Sequence, residues 1–219
     1  MATRTPAALR QYGAALRTLL LLTVILGLAY PLAMTGFAQV AFGNNANGSL
    51  VQRGAKTVGS SLIGQGFTLP VLKNGQPTKD ASGNPVVAPD PKYFQSRPSA
   101  AGTGYDPTSS GASNLGPENK TLITDINSRR ATAATLDGLN PTQVAPDALL
   151  ASGSGLDPDI SPAYAQEQIA RITRTRGLTQ TQVQTLVAQN TKERTLGFLG
   201  EPRVNVLDLN LALDAAARG

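Results

Sequence analysis

Apolar residues divide the chain into one long uncharged run and a longer segment of short periodic patterns. The run TLLLLTVILGLAYPLAMTGFAQVAF, residues 18–42, contains no charged side chain. A helix of this length extends about 37 Å at about 1.5 Å per residue, which is enough to cross a bilayer with some tilt. The run therefore predicts a transmembrane helix, in which Pro31 removes one backbone donor and produces a kink.

Two glycines within the run allow two interpretations of what surrounds this helix. Gly27 and Gly36 carry no side chain, so another spanning helix can approach closely at either position. A lone membrane anchor tolerates the same residues. The sequence therefore supports both a helix packed against other spanning helices and an isolated one.

Shorter patterns in the rest of the chain predict an α+β domain. Residues 49–51, 57–63 and 204–206 have the composition of short strands, and the last leads into a C-terminal helix. Residues 118–135 have helical periodicity. Residues 69–91, LPVLKNGQPTKDASGNPVVAPDP, are rich in Pro, Gly, Asn and Asp. This composition predicts an exposed loop or a peripheral hairpin.

Capping residues mark two further helices. In SPAYAQEQIARITRTRG, Ser161 is the expected N-cap and Gly177 follows the basic last turn. Thr179 and Gln182 form a capping box ahead of the next helix. The apolar faces of the predicted helices contain Leu122 and Ile126 in the first, Ala165, Ile169 and Ile172 in the second, and Val183, Leu186 and Val187 in the third.

Charge is distributed unevenly along the chain. Arg4, Arg10 and Arg17 precede the apolar run with no acid among them, so the positive-inside rule places residues 1–17 in the cytoplasm and residues 43–219 outside. A cleaved signal peptide shares this basic start, but its apolar region is usually only about 7–15 residues long. The net charge of +5 includes the three arginines, and the remainder offers no basic surface for nucleic acid.

The absence of histidine and cysteine excludes several kinds of active site. A Ser-His-Asp triad, a cysteine nucleophile and a histidine metal site are all impossible. A serine/lysine hydrolase stays open, with Ser110 or Ser113 near Lys120, although hydroxyl-rich loops usually satisfy their own backbone. Asp157 and Asp159 offer oxygen ligands to calcium or else belong to a helix cap, and two carboxylates are few for a calcium site.

Seven motifs occur in the order found in one known family. They are YPL within the apolar run, ANGSL at 46–50, GSSLIGQGF at 59–67, YFQSRPSA at 93–100, YDPTSSGASNLG at 105–116, SGSGLDPDISPAYAQEQIAR at 152–171 and GEPRVNVLDLNLALD at 200–214. Together they resemble the C subunit of the bacterial Kdp potassium-transporting ATPase. The main departure is the segment 69–91, which looks like an insertion in an exposed loop.

The resemblance implies a non-catalytic accessory subunit of the cell membrane, with one spanning helix and one external α+β domain. It implies assembly with a P-type ATPase subunit and a potassium-translocating subunit for high-affinity potassium uptake, and it leaves room for a small single-span subunit. The family is also described as a catalytic chaperone that raises the ATP affinity of the ATPase subunit. A membrane-anchored envelope protein unrelated to transport is the alternative.

The predicted topology conflicts with direct contact between cytoplasmic ATP and an external domain. Either the effect on ATP passes through packed spanning helices, or nucleotide binds only the isolated domain. For direct binding the resemblance indicates Ser154, Gly155 and Gln168, in a region likened to a transporter nucleotide signature. The alternative is a turn at Ser154 and Gly155 and a solvated helix face at Gln168. The only cofactor implied is ATP, and no metal is expected.

The stretch YFQSRPSAAGTGYDPTSSGASNLG, residues 93–116, predicts a surface for a partner protein. Its aromatic side chains offer apolar anchors, an arginine before a proline offers a fixed fork of donors, and its serines and glycines suit irregular backbone. A loop that only closes its own domain is the alternative. The candidate contacts are Tyr93, Phe94, Arg97, Tyr105, Asn114, Asp157 and Arg171.

Overall fold

The computed structural model describes residues 6–81 and 83–217 and divides the chain into two units, residues 1–50 and 51–219. The first unit contains helix α1 (Ala7–Val24), a π-helical turn (Ile25–Ala29), helix α2 (Tyr30–Ala41) and the short helix α3 (Gly43–Ala46). From Ala7 to Ala41 the chain forms one continuous helix of 35 residues, long and apolar enough to cross a membrane. No residue of α1 or α2 is buried inside the chain.

The π-helical turn lies just before Pro31, the second residue of α2. Proline has no N–H, and its ring crowds the carbonyl four residues earlier, so an α-helix cannot pass through it undisturbed. The Tyr30 N–H donates instead to the carbonyl of Ile25, five residues earlier. The expected disturbance at Pro31 therefore takes the form of a widened turn, after which the helix continues.

The second unit begins with short antiparallel pairs. Strand β1 (Leu50–Arg53) pairs with β2 (Lys56–Ser60), β3 (Thr68–Pro70) with β6 (Val87–Pro89), and β4 (Leu72–Lys73) with β5 (Gln76–Pro77). Asn74 and Gly75 have φ values of 54° and 77°, the conformation that a two-residue hairpin turn requires. Of the two forms expected for residues 69–91, an exposed loop or a peripheral hairpin, the structure shows the hairpin, as two nested pairs of strands.

The second unit also contains four helices, with 3₁₀ turns at Pro141–Gln143 and Pro146–Ala148: α4 (Lys120–Asp137), α5 (Pro162–Arg176), α6 (Gln180–Gln189) and α7 (Val206–Ala216). The predicted caps are confirmed. Ser161 Oγ accepts the Tyr164 N–H at 3.0 Å, Gly177 has a φ of 67°, and Thr179 and Gln182 form the capping box. In α4 the buried residues are Ala134 and Asp137, so this helix contacts the core mainly through its C-terminal half.

A three-stranded antiparallel sheet completes the domain, with β9 (Arg203–Asn205) between β7 (Asp159–Ile160) and β8 (Thr191–Lys192). Val204 of β9 lies opposite Ile160 on one side and Thr191 on the other. The predicted α+β fold with one N-terminal apolar helix is confirmed. The buried apolar core contains Phe94, Ala134, Val144, Ala145, Ala148, Leu149, Ile160, Tyr164, Ala165, Ile169, Ile172, Val183, Val187, Val204, Val206, Leu209 and Leu213.

Candidate functional site

The segment of residues 91–95 belongs to no helix or strand, and it places Phe94 in the domain core. Phe94 is fully buried. Its N–H donates to Asn210 Oδ1 at 2.9 Å, and Asn210 Nδ2 donates to the Phe94 carbonyl at 3.0 Å. Buried backbone donors and acceptors need partners. Here one amide side chain of α7 provides the two hydrogen bonds that a neighbouring strand would otherwise make.

Gln168 of α5 holds the next residue in the same way. The Gln95 N–H donates to Gln168 Oε1 at 2.6 Å, and Gln168 Nε2 donates to the Gln95 carbonyl at 3.2 Å. Gln168 has no solvent exposure. The expectation of a solvated helix face at Gln168 is therefore wrong, because its amide group is directed into the core, towards a backbone segment 73 positions earlier in the chain.

Arg171, one turn further along α5, completes this arrangement. Its Nη1 donates to the carbonyls of Pro91 at 2.6 Å and Tyr93 at 2.8 Å, and its Nη2 donates to Gln168 Oε1 at 2.6 Å. We call Gln168, Arg171 and Asn210 the backbone clamp. The predictions that Phe94 and Arg171 contact a partner are wrong, because both side chains are enclosed by the domain itself.

Asp137 at the end of α4 balances the charge of Arg171. Arg171 Nε lies 2.7 Å from Asp137 Oδ1, and both side chains are only 2% exposed. Burial raises the pKa of Asp137 above its ordinary value, while the guanidinium acts in the opposite direction. Removing one partner of such a pair leaves an uncompensated buried charge. The clamp therefore depends on four helix and loop segments being assembled together.

Tyr93 points to the other side of the segment, beside a cavity of about 260 Å³. The Arg176 guanidinium lies 4.5 Å from the centre of its ring, and Phe67 packs on it at 5.4 Å. Asp214 accepts hydrogen bonds from Arg176 and Arg53, each at 2.7 Å, and from the Tyr93 hydroxyl at 3.3 Å. Tyr93 is half-buried and already paired, so its role in contacting a partner stays a prediction.

Ser99 organises the hydroxyl-rich loop that follows. Its Oγ accepts the N–H groups of Ala101 and Tyr105, at 3.2 and 2.8 Å, and donates to the Gly155 carbonyl at 2.6 Å. The Tyr105 hydroxyl donates to the carbonyl of Arg97. A side chain at Gly155 would lie 2.7 Å from the Ala101 nitrogen, and its φ is 67°. The geometry favours the alternative of a loop that closes its own domain.

Arg97 and Asp157 lie on a second cavity of about 540 Å³. Arg97 Nη1 is 2.9 Å from Asp157 Oδ2, and Arg203 Nε is 3.2 Å from Asp159 Oδ2. Burial and the charge of Asp157 raise the pKa of Asp159. Each carboxylate offered to calcium thus has an arginine partner. Within residues 6–81 and 83–217, no cluster of three or more acidic groups is placed to hold a metal ion.

The remaining candidate residues are exposed and lie in loops, except Lys120, which is the first residue of α4. Ser154 Oγ accepts the Leu156 N–H at 3.1 Å, and the Ser110 hydroxyl donates to the Ser154 carbonyl at 3.0 Å. A serine that donates its proton to a backbone carbonyl is not activated as a nucleophile, because activation requires a neighbouring base. Ser113, Asn114 and Lys120 are exposed, and Asn114 has a φ of 52°.

Sequence reasoning missed Asp137 and Asn210, which complete the buried polar network. Asn210 is the one amide within the largely apolar pattern VLDLNLALD, whose other polar residues are Asp208 and Asp214, and it lies on the buried side of the helix. A single amide on a buried helix face indicates a hydrogen bond to backbone, since unpaired amides are costly to bury. Asp137 offers no comparable signal, because an aspartate at the end of a helix is usually exposed and nothing near it in the sequence marks it as buried.

Comparison with known proteins identifies the family. The family model of the K⁺-transporting ATPase c chain, KdpC, matches residues 12–215. Proteins named potassium-transporting ATPase KdpC subunit are similar along most of their length: 49% identical in Kineococcus radiotolerans over 95% of each chain, 45% in Koribacter versatilis over 88%, and 47% in Streptomyces avermitilis over 93%. The chain therefore belongs to the family of K⁺-transporting ATPase c chains.

Proposed function

We propose that the chain is a non-catalytic accessory subunit of an ATP-driven, high-affinity potassium uptake complex. Its relatives carry the name of a potassium-transporting ATPase subunit over nearly the same length, which supports the assignment. We infer assembly with a P-type ATPase subunit and a potassium-translocating subunit, in a complex that leaves room for a small single-span subunit. The Ser110 hydroxyl donates to the Ser154 carbonyl, which favours this role over a hydrolase. Asp157 and Asp159 each have an arginine partner, which favours it over a calcium-binding protein.

The proposed topology places residues 1–17 in the cytoplasm, residues 18–42 in the membrane and residues 43–219 outside. The basis is the arginine-only charge of the N-terminal residues, which the positive-inside rule assigns to the cytoplasmic side. The helix Ala7–Ala41 begins within that basic segment and is long enough to extend beyond the hydrocarbon core of about 30 Å.

We further propose that the chain raises the ATP affinity of the ATPase subunit through its spanning helix and without binding ATP itself. The observation that carries this proposal is the use of Gln168 and Gly155 inside the fold. The Gln168 amide holds Gln95, and Gly155 has no room for a side chain and hydrogen-bonds Ser99. A nucleotide that used Gln168 would have to displace buried hydrogen bonds, which is costly.

A complementation experiment tests this function. A strain that lacks this chain is grown at micromolar potassium with one of three versions: the full chain, a version in which residues 1–42 are replaced by a cleavable signal peptide, and a version in which residues 18–42 are replaced by an unrelated apolar spanning helix. We expect only the full chain to restore growth. Rescue by the released domain would show that the helix is a tether and would contradict the proposal.

A separate experiment measures the effect of the chain on the ATP affinity of the ATPase subunit. ATPase activity of the purified complex is recorded against ATP concentration with the full chain, with the helix-replaced version and without the chain. We expect the KM for ATP to be low only with the native helix. A variant with Gln168→Met tests direct binding, because methionine keeps the volume and removes the amide. If nucleotide affinity falls with this variant in a chain that is still folded, the domain itself binds ATP.

A further inference from the structure

The connection between β8 and β9 forms a projecting loop, residues 193–202, which we call the finger. Across it the Thr195 N–H donates to the Leu199 carbonyl and the Leu199 N–H to the Thr195 carbonyl, each at 2.9 Å. Arg194 and Glu201 form an ion pair at its base, and Gly197 has a φ of 82°. The finger therefore has a defined conformation held by its own backbone.

The tip of the finger exposes three large apolar side chains within four residues. Leu196, Phe198 and Leu199 are 78%, 69% and 49% exposed. Contiguous apolar groups of this kind mark surfaces that other molecules cover, whereas single exposed apolar residues are normal. The finger differs in this respect from Leu62 and Ile123, which lie singly on the domain surface.

The backbone at the tip is also in an unfavourable conformation. Leu196 has a φ of 56°. This left-handed region is occupied mostly by glycine and, among residues with a side chain, by asparagine and aspartate, and seldom by leucine. This conformation directs a leucine into solvent next to Phe198. A strained conformation that exposes apolar groups is typical of sites whose shape is used in binding.

Charge around the finger distinguishes between a lipid and a protein partner. Every basic side chain at its base faces an acidic one of the same domain: Arg194 with Glu201, Arg203 with Asp159, and Lys192 with Asp208. Loops that insert into membranes are surrounded by lysines and arginines that bind anionic headgroups. The internally balanced charge here favours a protein surface.

Shape distinguishes between a different subunit and a second copy of this chain. The finger is closed by its own backbone hydrogen bonds and residues 193–201 are all exposed, so it offers no cleft in which a second finger could bury its apolar side chains. A contact between copies would have to join the finger to another face, and such head-to-tail contacts generally continue into open chains unless they close a ring. A concave apolar surface on a different protein provides the complementary shape without this consequence.

We propose that the finger inserts Leu196, Phe198 and Leu199 into an apolar cleft of another subunit of the potassium-transporting ATPase complex. This inference rests on the proposed function, since it takes that complex as the source of the partner. Phe198 forms the central anchor, because aromatic side chains that fill a pocket carry much of the binding energy of an interface. The ion pair of Arg194 and Glu201 then lies at the rim of the contact.

The absence of cysteine from the chain allows a direct test. The variant Phe198→Cys introduces a single thiol, and Leu72→Cys in strand β4, where Leu72 is 58% exposed, is the matched control. Both full-length chains are treated with a polyethylene glycol maleimide, alone in lipid nanodiscs and in the purified complex, and the labelled subunit is followed by its shift in gel mobility. We expect labelling of the Phe198→Cys thiol to slow about tenfold or more in the complex only.

Any of the following outcomes would overturn the proposal. Equal labelling in the complex means that the finger stays in solvent. Protection in nanodiscs without other subunits means that lipid covers it, and protection that rises with the concentration of the chain alone means that copies bind each other. If the unmodified chain does not purify with the other subunits, the proposed function fails as well, which separates that failure from a failure of the finger alone.

A second pair of variants tests whether the contact stabilises the complex. Phe198→Asp should reduce the yield of complex about tenfold, because it places a charge in an apolar cleft, and Leu72→Asp should not. Phe198 is mostly exposed in the chain, so circular dichroism of the two variants should match that of the unmodified chain. An unchanged yield with Phe198→Asp contradicts the proposal.

Discussion

The helix Ala7–Ala41 and the domain of residues 51–217 satisfy their backbone hydrogen bonds over very different distances along the chain. In the helix the N–H groups beyond the first turn donate to carbonyls four or five residues earlier, including at Tyr30 beside Pro31, and no residue of α1 or α2 is buried. In the domain the segment 91–95 is held by Gln168 and Asn210, which are 73 and 116 positions away from their partners.

This difference indicates where each part depends on other molecules. The helix is complete as a backbone but presents its entire apolar surface to the surroundings, so lipid or other helices must cover it. The domain satisfies its central polar groups internally through the backbone clamp. Its dependence on a partner is therefore confined to surface features such as the finger. The following variants test this contrast, from the largest expected effect to the smallest.

Replacing Arg171 by methionine should destabilise the domain most. The change leaves the Asp137 carboxylate buried without a partner and removes donors from the carbonyls of Pro91 and Tyr93. We expect a loss of about 3–5 kcal/mol in the free energy of unfolding, measured by urea denaturation and far-ultraviolet circular dichroism. The control Gln166→Met, exposed on the same helix, should change it by less than about 0.5 kcal/mol. An equal loss of unfolding free energy in the variant and the control would contradict the special role of Arg171.

Asn210→Leu should have the next largest effect. The N–H and carbonyl of Phe94 remain buried but lose their partners, at a cost of about 2–4 kcal/mol for the two groups together. Denaturation of the purified chain measures the loss. Asn127→Leu, on the exposed face of α4, serves as the control. If leucine at position 210 is neutral, water or a backbone shift must satisfy Phe94, and the clamp is not required.

Gly155→Ala tests the junction between the two loops. The new methyl group would lie 2.7 Å from the Ala101 nitrogen, and the φ of 67° disfavours any side chain, so we expect a loss of about 2 kcal/mol. Gly153→Ala is the matched control, because no atom lies within 4 Å of its added carbon. A tolerated Gly155→Ala change would show that the loops move apart easily.

Tyr105→Phe should have a smaller effect with a distinct pH dependence. Losing the hydrogen bond to the Arg97 carbonyl should cost about 1 kcal/mol at neutral pH. Burial raises the pKa of Tyr105 to about 12 from its ordinary value of 10.0, so the folded state favours the neutral phenol. That stabilisation is complete below pH 10 and is lost as the pH rises towards 12.

Ultraviolet titration of tyrosinate measures this shift. The difference spectrum between the unmodified chain and Tyr105→Phe should contain one phenol that ionises near pH 12 in the folded state. The difference in unfolding free energy between the two chains should shrink across the same range. Ionisation of Tyr105 near pH 10 in the folded chain would show that solvent reaches the loop.

Gly27→Leu in the helix should leave the stability of the domain unchanged within about 0.5 kcal/mol while it lowers the yield of the complex. The added side chain prevents another spanning helix from approaching closely at this position. Gly13→Leu, near the start of α1 where no atom lies within 4 Å of the added carbon, is the control. An unaffected complex would indicate that the helix is an isolated anchor.

Local signals predicted the elements of the fold well. The N-cap at Ser161, the left-handed residue at Gly177 and the capping box of Thr179 and Gln182 are confirmed because each depends on residues that are three or four positions apart. The long apolar helix follows from composition alone. The nested hairpins of residues 69–91 follow from turn residues, including the pair Asn74 and Gly75, within their own segment.

The candidate contacts in residues 93–116 show where sequence reasoning stops. Phe94 in an irregular, polar stretch has the composition of an exposed anchor, yet it is fully buried. Arg171 and Gln168 have the spacing of a polar helix face, yet both face the core. Nothing local distinguishes a polar side chain directed at solvent from one that replaces a missing strand partner, because that partner is brought close only by folding.

The sequence by itself therefore determined the apolar helix, the caps, the turns and the family, since hydropathy, backbone preference and short motifs act over a few residues. Only the tertiary structure decided which polar groups are buried, that Asp137, Gln168, Arg171 and Asn210 act together, and that Leu196 and Phe198 remain outside. The physical reason is that burial and pairing depend on segments up to 161 positions apart, whose proximity is a property of the assembled domain.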